Sequence, residues 1–493
     1  VTNLFLFGPE TILLGLIVAQ LGVLLGPRGA AERWSGALTA LGAVAAGAAA
    51  WATLNAPAAG AFGGTYRIDA LSQGYKMLFA AALLVTAIVS RRGARPRLPD
   101  GGQVPDGGQA PLPADRAGET HLFLATGTLG MMMMPCAADL LTLYISLELS
   151  SYSLYLLASL RRDRRDAEAG VKYLLFGAAT SGFMLWGMSL LAGLAGTTSL
   201  VGIADASGAL AGQPVFLLAL VLVSFAFLFK LSAFPLHFWA PDAYQIASTP
   251  AVLFIATASK AAAVAVLSRF FIWTGPIQPA LVSILGAVAF LSMTLGNAAA
   301  LVQRSVKRLL AYSSVAQAGY ILVGLLSGSL EGYSSAFFYA VAYAVMNAGA
   351  LLVVLAVSPS ARTDDPELRH FDGLAERSPF LALILLLSLL SLAGIPPLAG
   401  FTGKWVLFSA AMDKGHWFLV LWGVLNSVVS LYYYLTLVKH VYLEKAADPS
   451  PLVLSPSLKA LGLAVFVLLV GLGVFPSPLI EFARSAVTTA LIR

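Results

Sequence analysis

The chain is a succession of apolar runs separated by short stretches that are charged or rich in proline and glycine. Runs of about 20 apolar residues match the length of helix that crosses a ~30 Å hydrocarbon core. That pattern predicts about fourteen membrane-spanning helices. They fall at roughly 4–25, 34–54, 70–90, 120–137, 139–160, 171–195 and 214–234 in the first half. The second half adds roughly 251–269, 278–301, 308–328, 334–357, 378–411, 416–438 and 458–478. The fold class expected is an all-α polytopic membrane protein.

Two runs are interrupted. SFAFLFKLSAFPLHFWAPDAY (224–244) places Lys230 just before Pro235 and Pro241, and LSLAGIPPLAGFTGKWVLF (390–408) places Lys404 just after Pro396, Pro397 and Gly400. Proline removes a backbone donor and clashes with the preceding turn, so neither run continues as regular helix. Broken helices at membrane depth persist only where they are buried in protein or line a wet cavity. Paired interruptions in the two halves of a chain mark transporters with internal repeats. Spans four to eight and nine to thirteen then form two five-helix repeats, and the odd number inverts the second against the first. The organisation expected is an N-terminal three-helix unit (1–90), a cytoplasmic loop (91–119), a first repeat (120–275), a second repeat (276–440) and a C-terminal loop with helix fourteen (441–493). Spans seven and twelve become equivalent, with Lys230 matched to Lys404.

Composition agrees: 58% of residues are hydrophobic and 11% charged, and the mean hydropathy is +0.83, far from soluble domains. The charges are sorted by side. Loops after odd-numbered spans hold most of the 30 basic residues, among them Arg91, Arg92, Arg95, Arg97, Arg161, Arg162, Arg304, Lys307, Arg308, Lys439 and Lys459. Loops after even-numbered spans hold few, including Arg67, Lys76, Arg269 and Lys414. The positive-inside rule places the odd loops in the cytoplasm and both termini outside. The pI of about 9.3 therefore needs no nucleic-acid partner. The first run carries Glu10 and lacks a basic segment before it, so it is expected to be a retained span. Cys136 is the single cysteine, which excludes an intramolecular disulfide framework. The MMMM run at 131–134 beside it is read as apolar filling, and no metal ligand set is expected. Residues 91–120 repeat PDGGQ and are rich in Gly and Pro, which suits a flexible loop.

Three lysines remain far from the ends of the spans or beside a break: Lys230, Lys260 and Lys404. A charge at a helix centre costs about 2.5–3.5 kcal/mol on insertion scales, so such residues face a bundle interior or water. Lys260 lies about nine residues into its span, roughly 14 Å deep, where snorkelling to the interface is hard. Glu148, in DLLTLYISLELSSYSLYLL, is at similar depth. A nearby carboxylate favours the charged form of a desolvated amine, so Glu148 can act as a switch on the proton of Lys230; a static ion pair is the alternative reading. His237, in the loop after the first break, either helps proton entry or is a plain hydrogen-bonding histidine. Asp139, Asp205 and Asp242 lie near helix ends and read as solvated or capping groups.

Five motifs carry a resemblance: ISLELSSYSLYLL with Glu148, FKLSAFPLHFWAPDAYQIASTP with Lys230, SKAAAVA with Lys260, VKRLLAYSSVAQAGYILVG, and LAGIPPLAGFTGKW with Lys404. Together they resemble the antiporter-like membrane subunits of respiratory complex I, most closely the smallest, N-type branch. Lys404 looks like the N or L pattern, and Tyr244 like the N pattern. Gln317 departs from it, standing where many N-type chains have histidine. The resemblance implies a proton-translocating subunit of a quinone-reducing NADH dehydrogenase, without a redox centre or bound cofactor of its own. NADH, FMN, iron–sulfur clusters and quinone would sit in partner subunits, and the neighbours would be other membrane subunits of the complex. It implies Glu148 as modulator, Lys230 as loading site, Lys260 as connector and Lys404 as outlet-side site. Rival readings are a subunit of a multisubunit cation/proton antiporter or membrane-bound hydrogenase, a stand-alone secondary transporter, and a passive scaffold.

Overall fold

The computed structural model describes residues 4–27, 29–90, 116–160, 164–273, 279–361 and 364–491. Helices α1 (Gly8–Leu24) and α2 (Ala30–Ala52) are followed by a hairpin of β1 (Ala59–Ala61) and β2 (Tyr66–Ile68) and by α3 (Ala70–Val89). The next group is α4 (Ala117–Met133), α5 (Leu140–Ala158), α6 (Arg164–Ala195), α7 (Leu200–Leu210), α8 (Pro214–Leu231), α9 (Trp239–Ile246), α10 (Thr249–Phe254) and α11 (Lys260–Trp273). Then come α12 (Pro279–Ala300), α13 (Val306–Leu325), α14 (Leu330–Ala361), α15 (Leu374–Arg377), α16 (Pro379–Ala393), α17 (Ala399–Met412) and α18 (Trp417–Tyr442). The chain closes with α19 (Pro456–Val474) and α20 (Ser477–Leu491).

Among the described residues, 11 helices are long and apolar enough to cross a membrane. The other predicted spans coincide with α4, which has 17 residues, with α13, and with the pair α16 and α17. The run at 378–411 is thus two helices, because Gly394 takes a left-handed conformation (φ 91°) and Pro396 and Pro397 follow. The hairpin, α7 and the amphipathic α20 were not foreseen. Helix α20 buries Ala483, Ala486, Val487 and Ala490 and packs on α3 and α14. Most of the 91–119 loop, with Arg91, Arg92, Arg95 and Arg97, lies outside the described residues, as do Arg28, Arg161 and Arg162.

Three basic residues that the charge pattern assigns to loops are buried in helices: Lys76 in α3 and Arg269 in α11, each 0–1% exposed, and Lys307 in α13. Each has a buried carboxylate to neutralise it, from Glu10, Asp69 and Asp364 respectively. A paired charge near a helix end can be covered by neighbouring chain at a cost that an unpaired one cannot meet.

The two halves share local devices at one spacing. A Cβ on Gly130 of α4 would stand 2.5 Å from Ser150 N and 2.8 Å from Ser146 O of α5. On Gly296 of α12 it would stand 2.6 Å from Ala316 N and 3.0 Å from Tyr312 O of α13. Asp139 caps α5 by accepting from Thr142 N at 2.6 Å, as anticipated, and Ser305 caps α13 by accepting from Arg308 N at 3.2 Å. Each cap residue also makes an isolated bridge, Asp139 with Ser199 and Ser305 with Glu367.

Candidate functional site

Helix α8 stops at Leu231 because Ser232 turns left-handed (φ 60°) and Pro235 follows three residues later. The last carbonyls of a helix have no intrahelical donor, and in a buried place each needs one. Here Ala233 N reaches Leu228 O at 2.9 Å, Trp239 Nε1 reaches Phe229 O at 2.9 Å, and Lys260 Nζ reaches Leu231 O at 2.7 Å. The same ammonium donates to Ser232 Oγ and stands 5.5 Å from the ring centroid of Trp239, which itself stacks on Tyr173. Lys260 follows a turn of π-helix, Ile255–Ser259, inside a segment that is buried throughout. π-Turns inside α-helices occur mostly at functional sites.

Lys230, in the last turn of α8, is 2% exposed and donates from Nζ to Ser151 Oγ of α5 at 2.8 Å. Glu148 lies three residues earlier on the same face of α5 and accepts from Ser181 Oγ of α6. The carboxylate and the ammonium are therefore neighbours that each hold a separate serine hydroxyl, Glu148 through Oε1 and Lys230 through Nζ. His237 sits in the turn across the break, 7% exposed, against the rings of Phe234 and Phe238.

At the second break Lys404 Nζ donates to Leu392 O at 3.0 Å, Ala393 O at 3.1 Å and Ser427 Oγ of α18 at 2.8 Å, 4.5 Å from the ring centroid of Tyr320. Gln317 Nε2 of α13 joins it on Leu392 O at 3.0 Å, and Gln317 Oε1 accepts from Tyr339 OH.

Leu231 ends α8 and Ala393 ends α16, so Lys260 and Lys404 serve equivalent carbonyls. This corrects the matching of Lys230 with Lys404. Lys230 precedes its break, whereas Lys404 lies beyond its own, and the position that corresponds to Lys230 holds Leu392. By contact, the counterpart of Lys404 is Lys260. Both ammoniums sit at the partially negative C-terminal end of a half-helix, which stabilises a cation without a full counter-charge. Such an arrangement can hold or yield a proton without stranding a bare carboxylate.

The four charged residues singled out in the sequence, Glu148, Lys230, Lys260 and Lys404, thus fall into two groups: Glu148 with Lys230 at α5, α6 and α8, and one ammonium at each break. Their partners Ser151, Ser181, Ser232, Ser427 and Tyr320 went unnoticed, since single hydroxyls in apolar runs carry no sequence signal. Gln317 had one, as the polar residue at mid-helix in SSVAQAGY.

The family model for the transmembrane region of NADH:quinone oxidoreductases and Mrp antiporters matches residues 137–430. NADH-quinone oxidoreductase subunit N 2 of Syntrophobacter fumaroxidans is 44% identical over 434 residues, 87% of this chain and 88% of that protein. A chain of respiratory complex I from Thermus thermophilus with bound aureothin superposes with a TM-score of 0.80 at 33% identity, covering 97% of this chain and 99% of that one. A chain of the Mrp complex of a Dietzia species shares the fold alone, at 19% identity with a TM-score of 0.85 over 100% and 98% of the two chains. With its broken helices, its buried lysines and this likeness along almost its whole length, the chain belongs to the NADH:quinone oxidoreductase/Mrp antiporter transmembrane family.

Proposed function

We propose that the chain is a proton-translocating membrane subunit of an NADH–quinone oxidoreductase, seated in a bacterial inner membrane among other membrane subunits of that complex. It carries no redox centre; NADH, flavin, iron–sulfur clusters and quinone belong to partner subunits, and energy reaches this chain through the arrangement of its buried charges. Both termini face outward. The shared glycine contacts, caps and left-handed breaks support two repeats, 120–275 and 276–440, between the N-terminal helices of 1–90 and the C-terminal segment of 441–493.

Lys230 is the loading site. A proton arriving from the inner side, past His237, is held there while the Glu148 carboxylate stays close. When Glu148 withdraws, the desolvated ammonium loses its electrostatic support and passes the proton through water to Lys260. From Lys260 it moves to Lys404, on the outlet side. Return of Glu148 favours reloading. The separate serine partners of Glu148 and Lys230 suit this scheme, because a hydroxyl holds either group while leaving it free to change distance.

The observation that carries the reading is the placement of three almost fully buried ammoniums, 2%, 1% and 5% exposed, at or beside two broken helices in a chain of this family. The experiment is Lys230→Ala in the assembled complex reconstituted into vesicles, reading protons moved per NADH oxidised. The ratio is expected to fall well below that of the parent; an unchanged ratio removes Lys230 from the path.

A further inference from the structure

Apart from the row from Glu148 to Lys404, buried charge concentrates where α1, α3, the turn after α4 and the end of α11 meet. Glu10, Asp69, Lys76 and Arg269 are 4%, 2%, 0% and 1% exposed. Lys76 Nζ lies 2.6 Å from Glu10 Oε1, and Tyr66 OH donates to the same oxygen at 2.5 Å. Arg269 pairs with Asp69 Oδ1 and donates from Nε to Pro135 O at 2.7 Å.

This cluster is under-satisfied. Glu10 Oε2, Asp69 Oδ2, Gln73 Oε1, Arg269 Nη1 and Trp273 Nε1 are buried and find no hydrogen-bond partner among the described residues. Buried polar groups are as a rule bonded, to protein or to ordered water, and a buried water commonly makes about three such bonds. Five such atoms on neighbouring elements can be bridged by ordered water. Two buried ion pairs are also a poor way to gain stability, since apolar side chains of similar volume often do as well or better.

The position of the cluster gives it a use. Helix α11 begins with Lys260 and reaches Arg269 nine residues on, about 14 Å along the axis. Ser259 Oγ, next to Lys260, is likewise buried without a partner among the described residues. Helix α3, with Lys76, packs against α10, the π-turn and α11. On the far side the cluster is covered by the β1–β2 hairpin, whose turn exposes Phe62 (70%). In the proposed orientation that side is the outer one.

We propose that Glu10, Lys76 and Tyr66 form a hydrated proton-release site at the outer mouth of the helix that bears Lys260, a branch of the path that does not require Lys404. The proposal rests on the relay described above. The ammonium of Lys260 loses a proton to water beside Ser259; water carries it along α11; Glu10 Oε2 accepts it and becomes a carboxylic acid, loosening its hold on Lys76. Glu10 then gives the proton to water beyond the hairpin, and the carboxylate re-forms its pair with Lys76, which stays protonated throughout. One proton leaves Lys260, one reaches the outer water, and no electron moves. Asp69 and Arg269 are positioning residues that hold α3 to α11.

The test uses the assembled complex in vesicles and reads protons moved per NADH oxidised. The double substitution E10Q/K76M removes both charges and nearly preserves volume, so the complex is expected to accumulate. Its ratio is expected to lose about half of the difference between the parent and K230A, and adding K404A is expected to bring it down to the K230A value. A parent-like ratio for E10Q/K76M overturns the proposal. If the double variant does not accumulate, E10D, which keeps the charge but withdraws the acid by one methylene, is expected to lower the ratio, and a parent-like value there overturns the proposal equally. A parent-like ratio for K230A itself would instead put the failure in the relay.

Discussion

Replacing Lys260 by methionine separates a role in proton transfer from a role in holding the fold. Methionine keeps the length and apolar stem but removes the charge and two hydrogen bonds, to Leu231 O at 2.7 Å and to Ser232 Oγ. Bonds from a charged donor are worth about 1.5–3 kcal/mol each, so the loss is roughly 3–6 kcal/mol. Against it stands relief of the cost of keeping a charge in the membrane interior, about 2.5–3.5 kcal/mol. The net change is then between about −0.5 and 3.5 kcal/mol, tolerable for a chain embedded in a large assembly. We expect Lys260→Met to accumulate in the membrane near the parental amount, measured by immunoblot of native gels, while protons moved per NADH oxidised fall severalfold in vesicles. Loss of the complex from the membrane would mean that Lys260 is a structural cap whose bonds outweigh its charge. Normal pumping by a normally assembled variant would remove it from the path.

Asp69→Asn should be the most damaging change outside the relay. It leaves Arg269 buried without a counter-charge, a loss of about 3–5 kcal/mol, and the amount of complex in the membrane should drop sharply. Gln317→Ala frees Tyr339 OH and leaves Leu392 O to Lys404 alone. It should cost about 1–3 kcal/mol, seen as a lower midpoint in thermal inactivation of the complex, with the proton ratio little changed. Gly296→Val forces branched carbon against Ala316 N, where even a Cβ would come within 2.6 Å. The overpacking should cost about 1–3 kcal/mol and raise protease sensitivity of the connection between α12 and α13 in vesicles.

The sequence exposed what contrasts with its surroundings. Lys230, Lys260, Lys404 and Glu148 stand out because a charge in an apolar run is expensive, and the breaks stand out because proline cannot continue a helix. Lys76, Arg269 and Lys307 escaped because they lie near predicted helix ends, where a charge normally reaches water. Their carboxylate partners are far away in the chain, Glu10 for Lys76 and Asp69 for Arg269, so the pairing is a property of the packed helices. The π-turn before Lys260 left no trace in the small residues IATAS, and the serines that receive Lys230, Lys260 and Lys404 look like any other hydroxyls in a membrane helix. The short α7 and the β-hairpin were missed because they are too short for a periodic pattern to register.

The two breaks, so alike in backbone, take their ammonium from different sources. At the second, the donor and its two carbonyl acceptors belong to the same interrupted helix, so a tilt of that element carries all three along and only the bond to Ser427 of α18 has to adjust. At the first, the donor arrives from a separate, wholly encased neighbour, so any displacement of the tip of α8 stretches or shortens the bond. A shift of α8 against α11 is therefore registered directly at the first break, whereas at the second the backbone bonds of Lys404 travel with the helix that carries them.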